Sequence, residues 1–172
     1  MNCFTAICIL ALAGASVDKK PAFTFEDIFS NLKAHENIWV QQRSYEGEGL
    51  KCIFNEKLLF AGKDYVFNKC HKSGDKIVKT VAHGKIYEVL RRRNWKSAMN
   101  VSTAPDSIIT YILQYWDKKE LCGVVTFNGM NGKKQCELHS RVQIRRPYTE
   151  CLNRYRRHCT GIEYLIDNKN CQ

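Results

Sequence analysis

Nine cysteines and five histidines are the residues of this chain whose chemistry is most easily named. The cysteines stand at Cys3, Cys8, Cys52, Cys70, Cys122, Cys136, Cys151, Cys159 and Cys171. Thiols at this density make disulfides in an oxidising compartment or hold metal in a reducing one. Metal is the weaker reading, because the chain has no C-x-x-C and no paired H-x₃₋₅-H. No metal site and no cofactor are expected. His35, His71, His83, His139 and His158 in a small basic chain raise a ribonuclease-like enzyme as one possibility. That chemistry needs two histidines as general acid and base, and a cation for the phosphate. Here the histidines are scattered and neither G-x-S-x-G nor H-E-x-x-H occurs, so catalysis is not expected.

The compartment is read from the N-terminus. Phe4 to Ala13 is apolar and uncharged, Ala13-Gly14-Ala15 is an A-x-A cleavage pattern, and Asp18-Lys19-Lys20 follows. The run is shorter than the roughly 20 residues that span a bilayer, so residues 1–15 are expected to be a cleaved secretory signal, within two residues. Cleavage removes Cys3 and Cys8 and leaves seven cysteines, an odd number. Residues 16–172 are then expected to be one exported domain, and a membrane is not an expected partner because no later segment is long and apolar enough to span one. Asn100-Val101-Ser102 is a glycosylation sequon, placed by the sequence in a polar stretch ahead of Pro105.

Charge points to partners. Lys and Arg number 27 against 17 Asp and Glu, a formal +10 that signal cleavage leaves untouched. Arg91-Arg92-Arg93 with Lys96 is the densest cluster. Two readings stand: solvated charge that keeps an exported protein soluble, or a face for a sulfated glycosaminoglycan or other acidic partner. Nucleic acid is not an expected partner, because the chain is exported and carries no recognised motif.

The elements that must position these residues are mostly strands. Helix signals occur only near the ends. Thr24-Phe25-Glu26-Asp27 has the form of a capping box, with Phe25, Ile28, Phe29 and Leu32 recurring on one face. Near the C-terminus Thr149 can cap a helix whose stripe is Cys151, Leu152, Tyr155 and Cys159, stopped by Gly161. Between them, β-branched and aromatic segments lie at 38–46, 49–60, 64–71, 76–82, 85–92, 107–116, 121–128 and 134–144. Eight strands, on short connections except for a long loop across about 93–106, favour an up-and-down meander closed into a ligand-sized barrel, with a sandwich as the other solution.

Four segments then carry a resemblance: Cys122-Gly123-Val124, Cys136-Glu137-Leu138, Cys151-Leu152-Asn153-x-Tyr155, and Cys171 beside the end. Together they resemble the tick salivary lipocalins, the histamine-binding protein family. Trp39 in the first strand and Cys52 in the second agree with it. The resemblance implies a mainly β fold: a closed eight-stranded antiparallel barrel, with an N-terminal helix and a C-terminal helix packed outside. It implies bridges Cys52–Cys171, Cys122–Cys151 and, as in some members, Cys136–Cys159, leaving Cys70 as a free thiol.

The resemblance also implies a monomer secreted in saliva that sequesters a host mediator inside its barrel. Amine-binding members carry carboxylates for the ammonium and aromatics for its ring. Glu137 keeps one carboxylate, but Gly123 stands where the first acid belongs, and His139 replaces an aromatic. An apolar or anionic lipid (an eicosanoid, fatty acid or sterol) therefore suits the pocket better than an amine. The candidate ligand contacts are Glu137, His139, Trp39, Tyr87, Tyr111, Tyr115, Phe127 and Arg43. A basic lipocalin that binds glycosaminoglycan or protein is the alternative.

Overall fold

The structure is a computed structural model describing residues 20–47, 51–129, 131–143 and 147–171. The expected signal segment lies outside the described residues. So do residues 48–50 and 144–146, into which the expected strands 49–60 and 134–144 run.

Eight antiparallel strands close on themselves. They are β1 (Asn37–Arg43), β2 (Lys51–Ala61), β3 (Asp64–Ser73), β4 (Lys76–Arg91), β5 (Asn94–Ala104), β6 (Ser107–Asp117), β7 (Cys122–Asn128) and β8 (Lys134–Ser140). Each pairs with its sequence neighbour, and β1 pairs with both β2 and β8, which completes the barrel. A short β9 (Tyr164–Leu165), not expected from the sequence, adds to β1 at Gln42 and Arg43.

The number of strands agrees with the sequence reading, but their division does not. Segments 76–82 and 85–92 are one continuous β4, and β5 occupies the stretch read as a long loop. Gly84 looks like punctuation, yet it lies within β4. A Cβ there would come within 2.7 Å of the Met99 sulfur, so the glycine makes room for a side chain packing from β5. β5 escapes notice because Ser97 is among its inward positions and Lys96, Asn100 and Ser102 are among its outward ones, leaving little apolar alternation. Asn100 is accordingly mid-strand rather than in a loop. Its Oδ1 accepts from the Tyr87 hydroxyl at 3.0 Å and the Thr110 hydroxyl at 2.7 Å.

One end of the barrel is shut by α1 (Phe25–Ser30), which begins with the expected capping box between Thr24 and Asp27. Phe25, Ile28, Phe29 and Leu32 are buried in the barrel core, so this helix is a plug rather than an external element. It is fastened from three strands. The Phe25 amide donates to Ser97 Oγ at 3.0 Å, Lys57 Nζ donates to the Phe29 and Leu32 carbonyls, and Phe29 stacks on Tyr65 at 3.8 Å. The opposite end, where β3–β4, β5–β6 and β7–β8 turn and the chain leaves β1, is the mouth.

α2 (Thr149–His158) packs outside on β6, β7 and β8. Thr149 is not its cap. Tyr148 holds that position without a side-chain hydrogen bond, and the Glu120 carboxylate instead accepts from the Glu150 and Cys151 amides. An acid at a helix N-terminus complements the unpaired amides and the helix dipole, and here it comes from a turn distant in sequence. The three expected bridges are present: Cys122–Cys151 and Cys136–Cys159 hold α2 to β7 and β8, and Cys52–Cys171 holds the C-terminal tail to β2.

Candidate functional site

Bulges decide which side chains face the barrel interior. In β6, Tyr111 and Leu113 point inward, and simple alternation would add Tyr115. A register shift between Leu113 and Tyr115 reverses the alternation, turning Tyr115 out under α2 and Trp116 in. Tyr115 there lies beneath the Arg154 guanidinium and donates to Asp117; burial, with this hydrogen bond, pushes its pKa up to about 12. A second shift, between Val40 and Gln42, brings Arg43 opposite Glu137 on the interior.

The interior is aromatic and aliphatic from the plug upward. The free space among its walls is about 30 Å³, the scale of one or two waters. Phe29, Tyr65, Phe67, Met99, Tyr111 and Trp116 are among its walls, and Asn55 and His139 are its polar ones. Gly123 faces this space, and its missing side chain is no vacancy. A Cβ at Gly123 would lie 2.6 Å from Trp116 Cε3 and 2.7 Å from the Tyr115 carbonyl oxygen. The Trp116 ring fills the room that an acid at this position would need.

Above the void, near the mouth, lies the one carboxylate of the interior wall that the sequence singled out. Glu137 is 7% exposed. Tyr45, just beyond β1, donates its hydroxyl to one carboxylate oxygen, and His139 Nε2 lies 2.6 Å from the other. Burial opposes ionisation of Glu137 most strongly, but the His139 and Tyr45 hydrogen bonds and the His139 charge outweigh it. The carboxyl is held below the usual range. Burial, and then the Glu137 charge, drives the Tyr45 and Tyr111 hydroxyls well above the ordinary phenol value, so both stay neutral donors. Phe127 packs against both rings, at 5.7 Å from Tyr45 and 4.7 Å from Tyr111.

Arg43 completes this layer. It is 4% exposed, with its guanidinium 5.1 Å from the centre of the Tyr45 ring and one terminal nitrogen donating to the Gly47 carbonyl. Its Nε has no hydrogen-bond partner, and among the described residues no carboxylate lies within 4.0 Å of it. A buried cation in this condition is costly unless an anion completes it. Lys69, paired with Asn55 across β3 and β2, adds a second positive charge that bears on Glu137.

Glu137, His139, Tyr111, Phe127 and Arg43 are thus gathered on the interior. Trp39 and Tyr87 are not. Trp39 packs against Phe54 at 4.5 Å in a cluster with Cys52 and Cys70 outside the barrel. Tyr87 faces outward to Asn100 because its neighbour Ile86 is the inward residue. Tyr45 and the plug residues of α1 were missed as site residues. Only the fold brings them to the ligand space, and no sequence signal announces it.

Cys70 is a buried free thiol, and burial with the nearby Glu56 charge raises its pKa to about 11. Among the described residues one cluster has metal-ligand geometry, Glu120 with Cys122 and Cys151, but those two sulfurs are bonded to each other. No two of the described histidines share a hydrogen bond.

No protein-family model matches the chain, and no curated protein does. Solved structures do. H1 crustacyanin from the lobster Homarus americanus superimposes with a TM-score of 0.56 at 12% identity, covering 88% of this chain and 89% of that one. Apocrustacyanin C1 gives 0.55 at 12% identity over 80% and 79%. The siderocalin Ex-FABP, described as working through dual ligand specificities, gives 0.57 at 10% identity over 80% and 96%. The fold is therefore the closed eight-stranded antiparallel barrel of the lipocalin type.

Proposed function

We propose that this protein is a secreted lipocalin that sequesters a small apolar ligand bearing a carboxylate, of the lipid-mediator kind, inside its barrel. The observation that carries the reading is the asymmetry between two buried charges. Glu137 is already satisfied by Tyr45 and His139, whereas the buried Arg43 has no carboxylate within 4.0 Å among the described residues. An incoming ammonium would have to displace partners from Glu137, and Trp116 occupies the place of a second acid. An incoming carboxylate supplies what Arg43 lacks, and the aromatic wall suits a hydrocarbon chain.

The described residues leave only about 30 Å³ free inside the barrel, so a ligand needs side chains to move aside. Admission of a ligand requires Tyr45 to leave Glu137 and Phe127 at the mouth, while α1 stays fixed by Ser97 and Lys57. Secretion is supported by the three disulfides and by the N-terminal sequence. Capture of a host mediator by a blood-feeding animal is what the resemblance adds. Native mass spectrometry of the purified protein, followed by solvent extraction, tests the reading. A co-purified acidic lipid is expected, and a co-purified amine overturns it.

A further inference from the structure

The β4–β5 hairpin outruns the barrel. β4 pairs with β3 only as far as Lys85, with one further bond from the Ile86 amide to the Lys63 carbonyl. β5 pairs with β6 only from Ala98 onward. Between these points Tyr87–Arg91 and Asn94–Ser97 pair solely with each other, a two-stranded arm extending about 17 Å at some 3.4 Å per residue. Its base rests on the plug through Ser97 and Phe25.

The tip of this arm has an unusual composition. Arg92 and Arg93 form a two-residue turn with φ of 45° and 68°. Such a turn, with φ positive at both central residues, favours Asn-Gly, because side chains with a bulky Cβ substituent are strained there. Two arginines held in that conformation point to a role outside the turn itself. Arg91, Arg92 and Arg93 are all exposed, and among the described residues none has a carboxylate within 4.0 Å. Beside them Leu90 and Trp95 are cross-strand partners, 55% and 39% exposed. Glu88 is the one acid between Lys85 and Lys96.

We propose that this arm docks the protein on an anionic lipid bilayer, the arginines on phosphate or carboxylate headgroups and the Leu90–Trp95 pair at the acyl boundary. The pairing of cations with exposed apolar area selects this partner. A sulfated polysaccharide matches the arginines but offers no hydrocarbon to cover Leu90, whereas a bilayer surface satisfies both and favours Trp at its interface. No helix of the described residues can cross a membrane, and the arm needs only to lie on one.

The test is co-sedimentation of the purified protein with vesicles of phosphatidylcholine alone or with phosphatidylserine added, at about 0.1 M salt. Binding is expected only with phosphatidylserine, accompanied by a blue shift of Trp fluorescence. Arg92→Asn with Arg93→Gly should weaken it about thirtyfold, at roughly one surface cation's contribution each. The same pair of changes relieves the turn, so its Tm should rise, which separates lost contact from lost fold. Leu90→Ser with Trp95→Ser should weaken binding and abolish the blue shift. Absence of vesicle binding by the unaltered protein overturns the proposal, as does undiminished binding by the Asn-Gly variant. Arginine-dependent retention on heparin without vesicle binding also overturns it, in favour of a polysaccharide.

Discussion

The Trp116 ring stands where a side chain at Gly123 would project, its Cε3 only 2.6 Å from that residue's ideal Cβ position. The glycine and the tryptophan are cross-strand partners, placed on the interior by the bulge between Leu113 and Tyr115. A side chain at position 123 and the inward Trp116 ring therefore exclude each other in this arrangement. An acid at this position would have to compete with the Trp116 ring for the same space.

Gly123→Asp should not restore an amine site. The new Cβ meets both the Trp116 ring and the Tyr115 carbonyl, and overpacking of this kind costs about 1–3 kcal/mol. Urea denaturation is expected to show that loss. Adding Trp116→Ala should recover part of it, since the two residues touch and their effects are non-additive. Independent, additive effects would show that the ring does not occupy this space.

Glu137 sets an acid limit on stability. Its folded-state pKa lies below the ordinary carboxyl value of 4.5, so its stabilisation is present above that value and is lost as pH falls through the folded pKa. Glu137→Gln should cost about 1–3 kcal/mol at pH 7, because the His139 and Tyr45 contacts lose their charged partner. It should also flatten the decline in the urea midpoint between about pH 5 and pH 3. An unaltered acid profile in the variant would remove Glu137 from this role.

Tyr45 bonds Glu137 near the mouth, and removing its hydroxyl should separate stability from affinity. Tyr45→Phe keeps the contact with Phe127 but takes one donor from Glu137, at a cost of roughly 1.5–3 kcal/mol for a hydrogen bond to a charged group. If ligand entry displaces this bond, a fluorescent fatty-acid probe should bind up to about tenfold more tightly to the variant. Weaker binding would mean that Tyr45 holds the ligand rather than excluding it.

Cys70 should behave as an inert thiol. It is buried and its pKa is raised to about 11, so iodoacetamide at neutral pH should label it only after unfolding. Non-reducing peptide mapping should recover Cys52 joined to Cys171. A Cys52–Cys70 peptide would contradict the pairing.

Much of this architecture was legible in the sequence, because its devices are local or covalent. The capping box at Thr24 and Asp27, the apolar face of α1 and the β-rich middle are read from neighbouring residues. The cysteine pairing came with the resemblance. What escaped depends on register. Trp39 and Tyr87 sit one position away from the inward residues Ile38 and Ile86, and Tyr115 is turned out by a bulge that alternation does not foresee. Tyr45 belongs to the site only because the chain leaving β1 folds back toward Glu137, a contact spanning 92 positions. Arg43 and Glu137 meet opposite each other for the same reason, through the bulge at Val40 and Gln42.

The buried Arg43 guanidinium, with no carboxylate within 4.0 Å among the described residues, carries the central claim, and calorimetric titration tests it most directly. A long-chain fatty acid should bind the unaltered protein. Its methyl ester and the Arg43→Gln variant should each bind about tenfold or more weakly, the loss of one charge-assisted contact. Histamine should bind weakly or not at all. Nanomolar histamine binding, or equal affinity for acid and ester, would contradict the account.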